Sequence, residues 1–287
     1  MRGHFADYVA LTKPRVVAMV LVTTLAGFYL GSRGGFDFAA ALSLVVGTAL
    51  AAAGTLALNQ YIERELDARM DRTRKRPLPD GRMRPAEALV FGVAITTAGV
   101  LYLGLANNWL CAGVIAAIAI VYLCGYTPLK RVSWVCNLVG AIPGALPPVA
   151  GWAAARGSLT LEPFAMFAIM FLWQLPHSLA IARLYQKDYA RAGLWLLPRD
   201  TPRGNAANPV IVAATLTLIV AGMMPTILGY AGMPYLVVAV ALGAGMFACG
   251  LAMVWAKSPA ASARRLLFAS LVYLPVVLLV MVLDKVS

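Results

Sequence analysis

Asn59, Glu63, Asp67 and Asp71 recur at four-residue intervals in the segment NQYIERELDARMD. On a helix this spacing lines them along one face. Like charges four residues apart destabilise a bare helix, and a divalent cation between them would reverse that sign. Mg2+ is the ion expected, because it prefers oxygen ligands and commonly sits between carboxylates and a substrate phosphate. Basic residues follow directly: Arg69, Arg72, Arg74, Lys75 and Arg76. Arginine forks match phosphate oxygens in pairs, so carboxylates beside arginines describe a diphosphate site. A salt-bridged, solvated helix end is the plain alternative, and spacing alone leaves both open.

A second polar segment, FLWQLPHSLAIARLYQKDYARAGLWLLP, starts at Phe171. His177 follows Pro176 inside an apolar run. A histidine at membrane depth is expensive and is a functional candidate by default. Its imidazole can ligate a haem iron or hydrogen-bond a substrate carboxylate; a histidine bonded to a backbone carbonyl is the structural alternative. His177, Ile181, Leu184 and Asp188 are expected along one helical face, with Arg183, Lys187 and Arg191 as a neighbouring basic stripe. For Asp188, a metal ligand and the salt-bridge partner of a nearby arginine both stay open. The chain has no P-loop, no G-x-G-x-x-G and no C-x-x-C-H haem attachment motif.

These residues need a scaffold, and composition says which kind. The chain has 287 residues, 61% apolar and 13% charged, with a mean hydropathy of +0.78. Soluble chains run about 45–50% apolar and about 25% charged, so the surplus apolar surface must face lipid. A net charge of +12 raises nucleic acid as a partner. The basic residues sit in short connectors between apolar runs, which argues against that partner. Cys111, Cys124, Cys136 and Cys249 lie within or beside apolar runs and form no C-x-x-C pair. Neither a disulfide framework nor a zinc site is indicated. The start, MRGHFADYVALTKPR, reads as a short amphipathic segment and not as a secretory signal.

A spanning helix needs about 20 mostly apolar residues. Nine runs qualify, at approximately 15–32, 38–59, 86–106, 109–127, 134–154, 161–182, 207–229, 232–256 and 265–284. They are too long and too uniformly apolar for barrel strands. The expected fold class is therefore all-α, a polytopic membrane protein forming one domain over 1–287. With nine spans, 21 of the 24 Lys and Arg fall on the side of the N-terminus, leaving Arg33, Arg156 and Lys285 on the other. By the positive-inside rule the N-terminus is cytoplasmic and the C-terminus outside. The long connectors, 60–85 and 183–206, share the cytoplasmic side, and long connectors are where function concentrates. Four apolar runs separate their starts, a weak signal of two similar halves. Gly140, Gly144 and Gly151 with Pro143, Pro147 and Pro148 predict a kinked, closely packed fifth span.

At the two polar segments the chain resembles the UbiA-type intramembrane prenyltransferases. The shared pattern is N-x-x-x-[DE]-x-x-x-D followed by R-T-x-x-R-P, here Asn59, Glu63 and Asp67, then Arg72, Thr73, Arg76 and Pro77. Within that superfamily the haem-farnesylating branch is the most similar, on LTKPRV (11–16), YTPLKR (126–131), GAIPGALPPVAGW (140–152), WQLPHS (173–178) and KDYARAGLWLLP (187–198). The resemblance implies nine helices around a lipid-accessible cavity. It implies Mg2+ held by Asn59, Glu63 and Asp67, with Asp188 as a further catalytic residue. Arg72, Arg76, Lys130, Arg131 and Lys187 would bind the diphosphate, and His177 the haem. The implied substrates are farnesyl diphosphate and haem B, whose vinyl group becomes a hydroxyethylfarnesyl group. A place in the cell inner membrane, near haem A synthase or terminal-oxidase assembly, goes with that chemistry. Two departures matter. Glu63 stands where the superfamily often has Asp, and Asp188 lacks the paired acid of D-x-x-x-D, having Leu184 and Ala192 four residues either side. Asp71 falls at a position the family does not fix and is left out of the site. A prenyltransferase for a quinone-precursor ring, and a cation-coupled transporter, are the rival readings.

Overall fold

The computed structural model describes residues 4–198, 207–256 and 258–286. Among them twelve helices follow in order: α1 His4–Thr12, α2 Pro14–Gly31, α3 Phe38–Asp67, α4 Pro85–Ala106, α5 Trp109–Leu129, α6 Cys136–Ala145, α7 Pro147–Arg156, α8 Glu162–Leu184, α9 Gln186–Arg191, α10 Ala207–Ile227, α11 Met233–Ala252 and α12 Pro259–Leu283. Nine stretches of the described residues are long and apolar enough to span a bilayer, with α6 and α7 counting as one, Cys136–Arg156. The described residues contain no named strand, only an isolated bridge between Ala231 and Lys285.

The bounds differ from the hydropathy expectation where polar residues join helices. The second span is predicted to end near residue 59, but α3 runs on to Asp67. Thirty residues at 1.5 Å each give about 45 Å, against a hydrocarbon core of about 30 Å. The last turns of α3 thus carry the acidic motif beyond the apolar layer. The ninth span starts at Pro259, a proline at the first helical position, where its missing N–H is harmless.

The connectors sort onto two sides in the alternation that the charge split demands. On one side lie Lys13, the end of α3, Lys130 and Arg191, joined by contacts described below. The other side is tied by its own set. Asn107 Nδ2 donates to Ala40 O and Ser43 Oγ, and Asn108 Nδ2 to Ala153 O. Lys285 Nζ reaches the carbonyls of Tyr29 and Ser32, both at 2.7 Å.

The tightest crossing is α2 against α7. A Cβ added at Gly27 would lie 2.0 Å from Pro148 O, and one added at Gly151 would lie 1.9 Å from Thr24 O. Each glycine faces the other helix's backbone, the small-residue contact that lets membrane helices approach closely. The fifth span breaks at Leu146–Pro147, as its prolines predict. Two apolar clusters result. One centres on α8, α10, α11 and α12, around Met166, Ile169, Leu218, Tyr235 and Tyr273. The other joins α2, α3, α4, α5 and α7 around Phe28, Leu44 and Leu103.

Candidate active site: a cation-rich helix end above an apolar cavity

The acidic face is real for three of its four members. Asn59, Glu63 and Asp67 lie on the last turns of α3 and are all buried, at 1%, 8% and 1% exposure. The helix stops at Asp67, where the Thr73 hydroxyl donates to the Asp67 carbonyl at 2.8 Å. Asp71 therefore leaves the face. It is solvent-exposed and pairs with Arg191 at 2.7 Å.

Each of the three buried groups has its own cation. Lys13 Nζ donates to Asn59 Oδ1 at 3.3 Å, Lys130 Nζ to Glu63 Oε1 at 2.8 Å, and Arg76 Nη1 to Asp67 Oδ2 at 2.6 Å. The amide of Asn59 is oriented by α5. Its Nδ2 donates to Thr127 Oγ1 at 3.2 Å, and Thr127 Oγ1 donates to Tyr122 O at 2.8 Å across a π-helical turn, Val121–Tyr126. That leaves Asn59 Oδ1 as the acceptor aimed at the cations.

Lys13 is a site residue that pattern reading placed in a motif without giving it a role. It is the one non-glycine residue with positive φ among those described, at φ 49. The residue before proline is disfavoured in the right-handed helical region, so Lys13 breaks α1 from α2 at Pro14. Gln60 Nε2 clamps the resulting corner at Leu11 O, 2.6 Å away. Burial, then Arg76 and Lys130, push the Lys13 ammonium down to about 7, only partly offset by Glu63 and Asp67. Burial also opposes the charge of Lys130, but Tyr126, Glu63 and Tyr122 outweigh it and leave that ammonium raised. Three basic side chains thus face two carboxylates, and an arriving polyanion would favour the charged form of Lys13 that burial opposes.

The remaining candidates sit around this cluster. Arg72 is exposed, with its guanidinium 5.6 Å from the Tyr185 ring centre. Arg131 and Lys187 are exposed. The chain kinks at Tyr185, so Asp188 lies on the short α9 and not on the face of His177. Arg191 bonds both Asp188 and Asp71, which ties the second loop to the first. The loop after α9 also packs inward. Trp195 N donates to Lys130 O at 2.8 Å, and Asn137 Nδ2 to Leu196 O at 2.8 Å.

Beneath the cluster lies a cavity of about 420 Å3. Tyr122, Tyr126 and Asn137 line it toward the charged end, and Trp173, Gln174 and His177 line it deeper in. Lys130 Nζ stands 4.3 Å from the Tyr126 ring centre, so the charged cluster and the cavity share a wall. Most of the remaining lining is aliphatic. The arrangement can hold an anionic head above and an apolar body below.

The donor set also fits a divalent metal. An amide oxygen and two carboxylates are hard oxygen ligands, and Mg2+ is typically held by one or two carboxylates with substrate phosphates completing the shell. Among the described residues, no cluster of three or more His, Cys, Asp or Glu occurs.

The description of the UbiA prenyltransferase family matches residues 20–272. This chain belongs to that family. The protoheme IX farnesyltransferase of Solibacter usitatus (strain Ellin6076) is 43% identical over 97% of this chain and 98% of its own length. That of Myxococcus xanthus (strain DK1622) is 40% identical over 98% and 95%. Among solved structures, one from work on digeranylgeranylglyceryl phosphate synthase superposes with a TM-score of 0.83 at 15% identity, covering 98% of both chains. A UbiA homologue from Archaeoglobus fulgidus, bound to DMAPP and Mg2+, superposes with a TM-score of 0.66 at 16% identity, covering 96% and 99%. At such identities these two likenesses establish the fold, an all-α membrane bundle.

Proposed function

We propose that this protein transfers the farnesyl group of farnesyl diphosphate to a vinyl carbon of haem B and releases diphosphate. The observation that carries the reading is the adjacency of two features, a charged cluster and a cavity that meet at Tyr126. A cation-rich helix end holds the Asn59, Glu63 and Asp67 oxygens, and an apolar chamber below presents an imidazole, His177. The protoheme IX farnesyltransferases, similar over nearly the whole chain, supply the acceptor's identity.

Asn59, Glu63 and Asp67 would hold Mg2+. When bound, Mg2+ supplies neutralisation of the departing diphosphate. Arg76 and Lys130 would turn from the carboxylates, and Lys13 from the Asn59 amide, to phosphate oxygens, with Arg72, Arg131 and Lys187 as further donors. Charge that develops on the leaving group is met by donors already in place, in a site of low dielectric. The apolar cavity holds the isoprenoid tail and keeps water from the allylic cation. The ring faces of Tyr122 and Tyr126 lie between cations and cavity, where they can stabilise that cation. The vinyl carbon attacks, and water captures the porphyrin-side cation and loses a proton. Asp188, held by Arg191 at the mouth, closes the second loop over the diphosphate. His177 binds the haem.

The protein sits in the cell inner membrane with the loops 60–85 and 183–206 and the N-terminus in the cytoplasm and the C-terminus outside. The reading rests on the charge split. Association with haem A synthase or terminal-oxidase assembly follows from a product that those proteins consume. Incubation of purified protein with haem B, farnesyl diphosphate and Mg2+, then mass analysis of the haem, tests the proposal. A mass increase of one farnesyl group plus one hydroxyl is expected. Unchanged haem together with a prenylated 4-hydroxybenzoate would overturn it.

A further inference from the structure

The last three spans carry little motif, yet α12 places one buried polar side chain directly behind His177, which lines the cavity. Ser270 is fully buried. Its hydroxyl lies 2.8 Å from His177 Nδ1 and 2.6 Å from Leu267 O, while its carbonyl accepts from Trp173 Nε1 at 2.8 Å. One residue of α12 therefore grips two residues of α8, one turn apart. The Trp173 and His177 rings stack with centroids 4.8 Å apart and planes 23° apart, so the imidazole plane is fixed from both sides.

The proton count along this chain decides the tautomer. A serine hydroxyl has one proton to donate and can accept through its lone pairs. Two oxygens 2.6 Å apart need a proton between them, so Ser270 Oγ–H donates to Leu267 O. The 2.8 Å contact to His177 must then be Nδ1–H donating to Ser270 Oγ. In a neutral imidazole with Nδ1 protonated, Nε2 is bare. No partner for Nε2 is found among the described residues, and the ring lines the cavity.

We infer that Ser270 is a positioning residue that holds His177 as its Nδ1–H tautomer, presenting a bare Nε2 that ligates the haem iron. The inference rests on haem being the acceptor, and it chooses between two ways of binding it. A bare nitrogen cannot donate to a propionate, but it is the form that coordinates iron. A group that accepts from the far ring N–H of a ligating histidine fixes its orientation and raises its basicity; here the Ser270 hydroxyl, accepting from Nδ1, fills that place.

The test uses the full-length protein in detergent. The chain has two histidines, so His4→Gln leaves His177 as the sole imidazole. Nitrogen NMR of that protein, labelled with 15N-histidine and free of haem, is expected to show a protonated Nδ1 and a bare Nε2. A protonated Nε2 would overturn the inference, and this arm needs no change at residue 270. Titration with haem B then follows in the absorption spectrum. Ser270→Ala is expected to weaken haem binding 10–100-fold, the usual effect of removing a ligand's outer partner, and to lose the nitrogen-ligated spectrum. Ser270→Thr, which keeps the hydroxyl, should restore both. Unchanged affinity and spectrum in Ser270→Ala would overturn the positioning role while leaving haem as acceptor. A spectrum indifferent to His177→Ala would overturn iron ligation. Failure of the unaltered protein to bind haem B at all would instead overturn the acceptor assignment.

Discussion

Lys130→Met should make the protein bind a divalent cation more tightly and prenyl diphosphate more weakly. The opposite signs follow from the 2.8 Å contact between Lys130 Nζ and Glu63 Oε1, a pair whose side chains are only 12% and 10% exposed. A metal that takes Glu63 must first displace that ammonium. A hydrogen bond to a charged group is worth about 1.5–3 kcal/mol, which corresponds to roughly a 10- to 150-fold change in affinity. Removing the ammonium takes away this competition, so affinity for Mn2+ without diphosphate should rise by that order. The same substitution removes one cation from the phosphate site, and affinity for farnesyl diphosphate should fall by a similar factor. Stability gives a third readout. Methionine leaves Glu63 buried without its nearest partner, so the metal-free variant should unfold at a lower temperature. Added Mn2+ should recover most of the loss. Calorimetric titration with Mn2+ alone, titration with farnesyl diphosphate, and thermal unfolding with and without Mn2+ measure all three. Weaker or unchanged Mn2+ binding in Lys130→Met, with Glu63→Gln still abolishing it, would refute the competition.

Other expectations follow from the same geometry. Asp67→Ala and Glu63→Ala should abolish transfer while the protein stays folded in detergent; near-normal turnover at saturating Mg2+ would reduce both to structural ion pairs. Gly151→Ala puts a methyl 1.9 Å from Thr24 O and 2.7 Å from Phe28 N, which should destabilise by about 1–3 kcal/mol or more, read as a fall in unfolding temperature. Arg191→Ala frees Asp71 and Asp188 together and should raise the KM for farnesyl diphosphate with little change in stability, since Arg191 and Asp71 are more than half exposed. Cysteines placed at the exposed positions Asp80 and Lys187 should resist an impermeant thiol reagent applied from outside; labelling of either would reverse the orientation.

Sequence periodicity was a good guide wherever a helix continued and a poor one wherever it stopped. Asn59, Glu63 and Asp67 share a face because α3 extends through them. Asp71 shares the spacing but not the helix, since the Thr73 hydroxyl caps the chain four residues earlier. The same limit separates Asp188 from His177: Tyr185 interrupts α8, a break with no proline or glycine to announce it. Lys13 was visible within LTKPRV, but its reach to Asn59 depends on a left-handed turn that only the Lys–Pro pair hints at. Ser270 had no sequence signal, because an isolated serine in an apolar span acquires meaning only from what α8 sets against it.

The α2–α7 crossing limits how the active-site chamber can evolve. Its two walls there are carbonyl against glycine, with no side chain left to shorten. Val16, Val20 and Thr23 of α2 and Pro147 of α7 reach the chamber from helices that cannot move closer together. A lineage that changed its acceptor would do so by trading side chains on α5, α6 and α8, such as Ile115, Asn137, Met170 or Gln174. For enzyme redesign, the glycine seam is the hinge line to leave untouched, and those four positions are the ones to randomise.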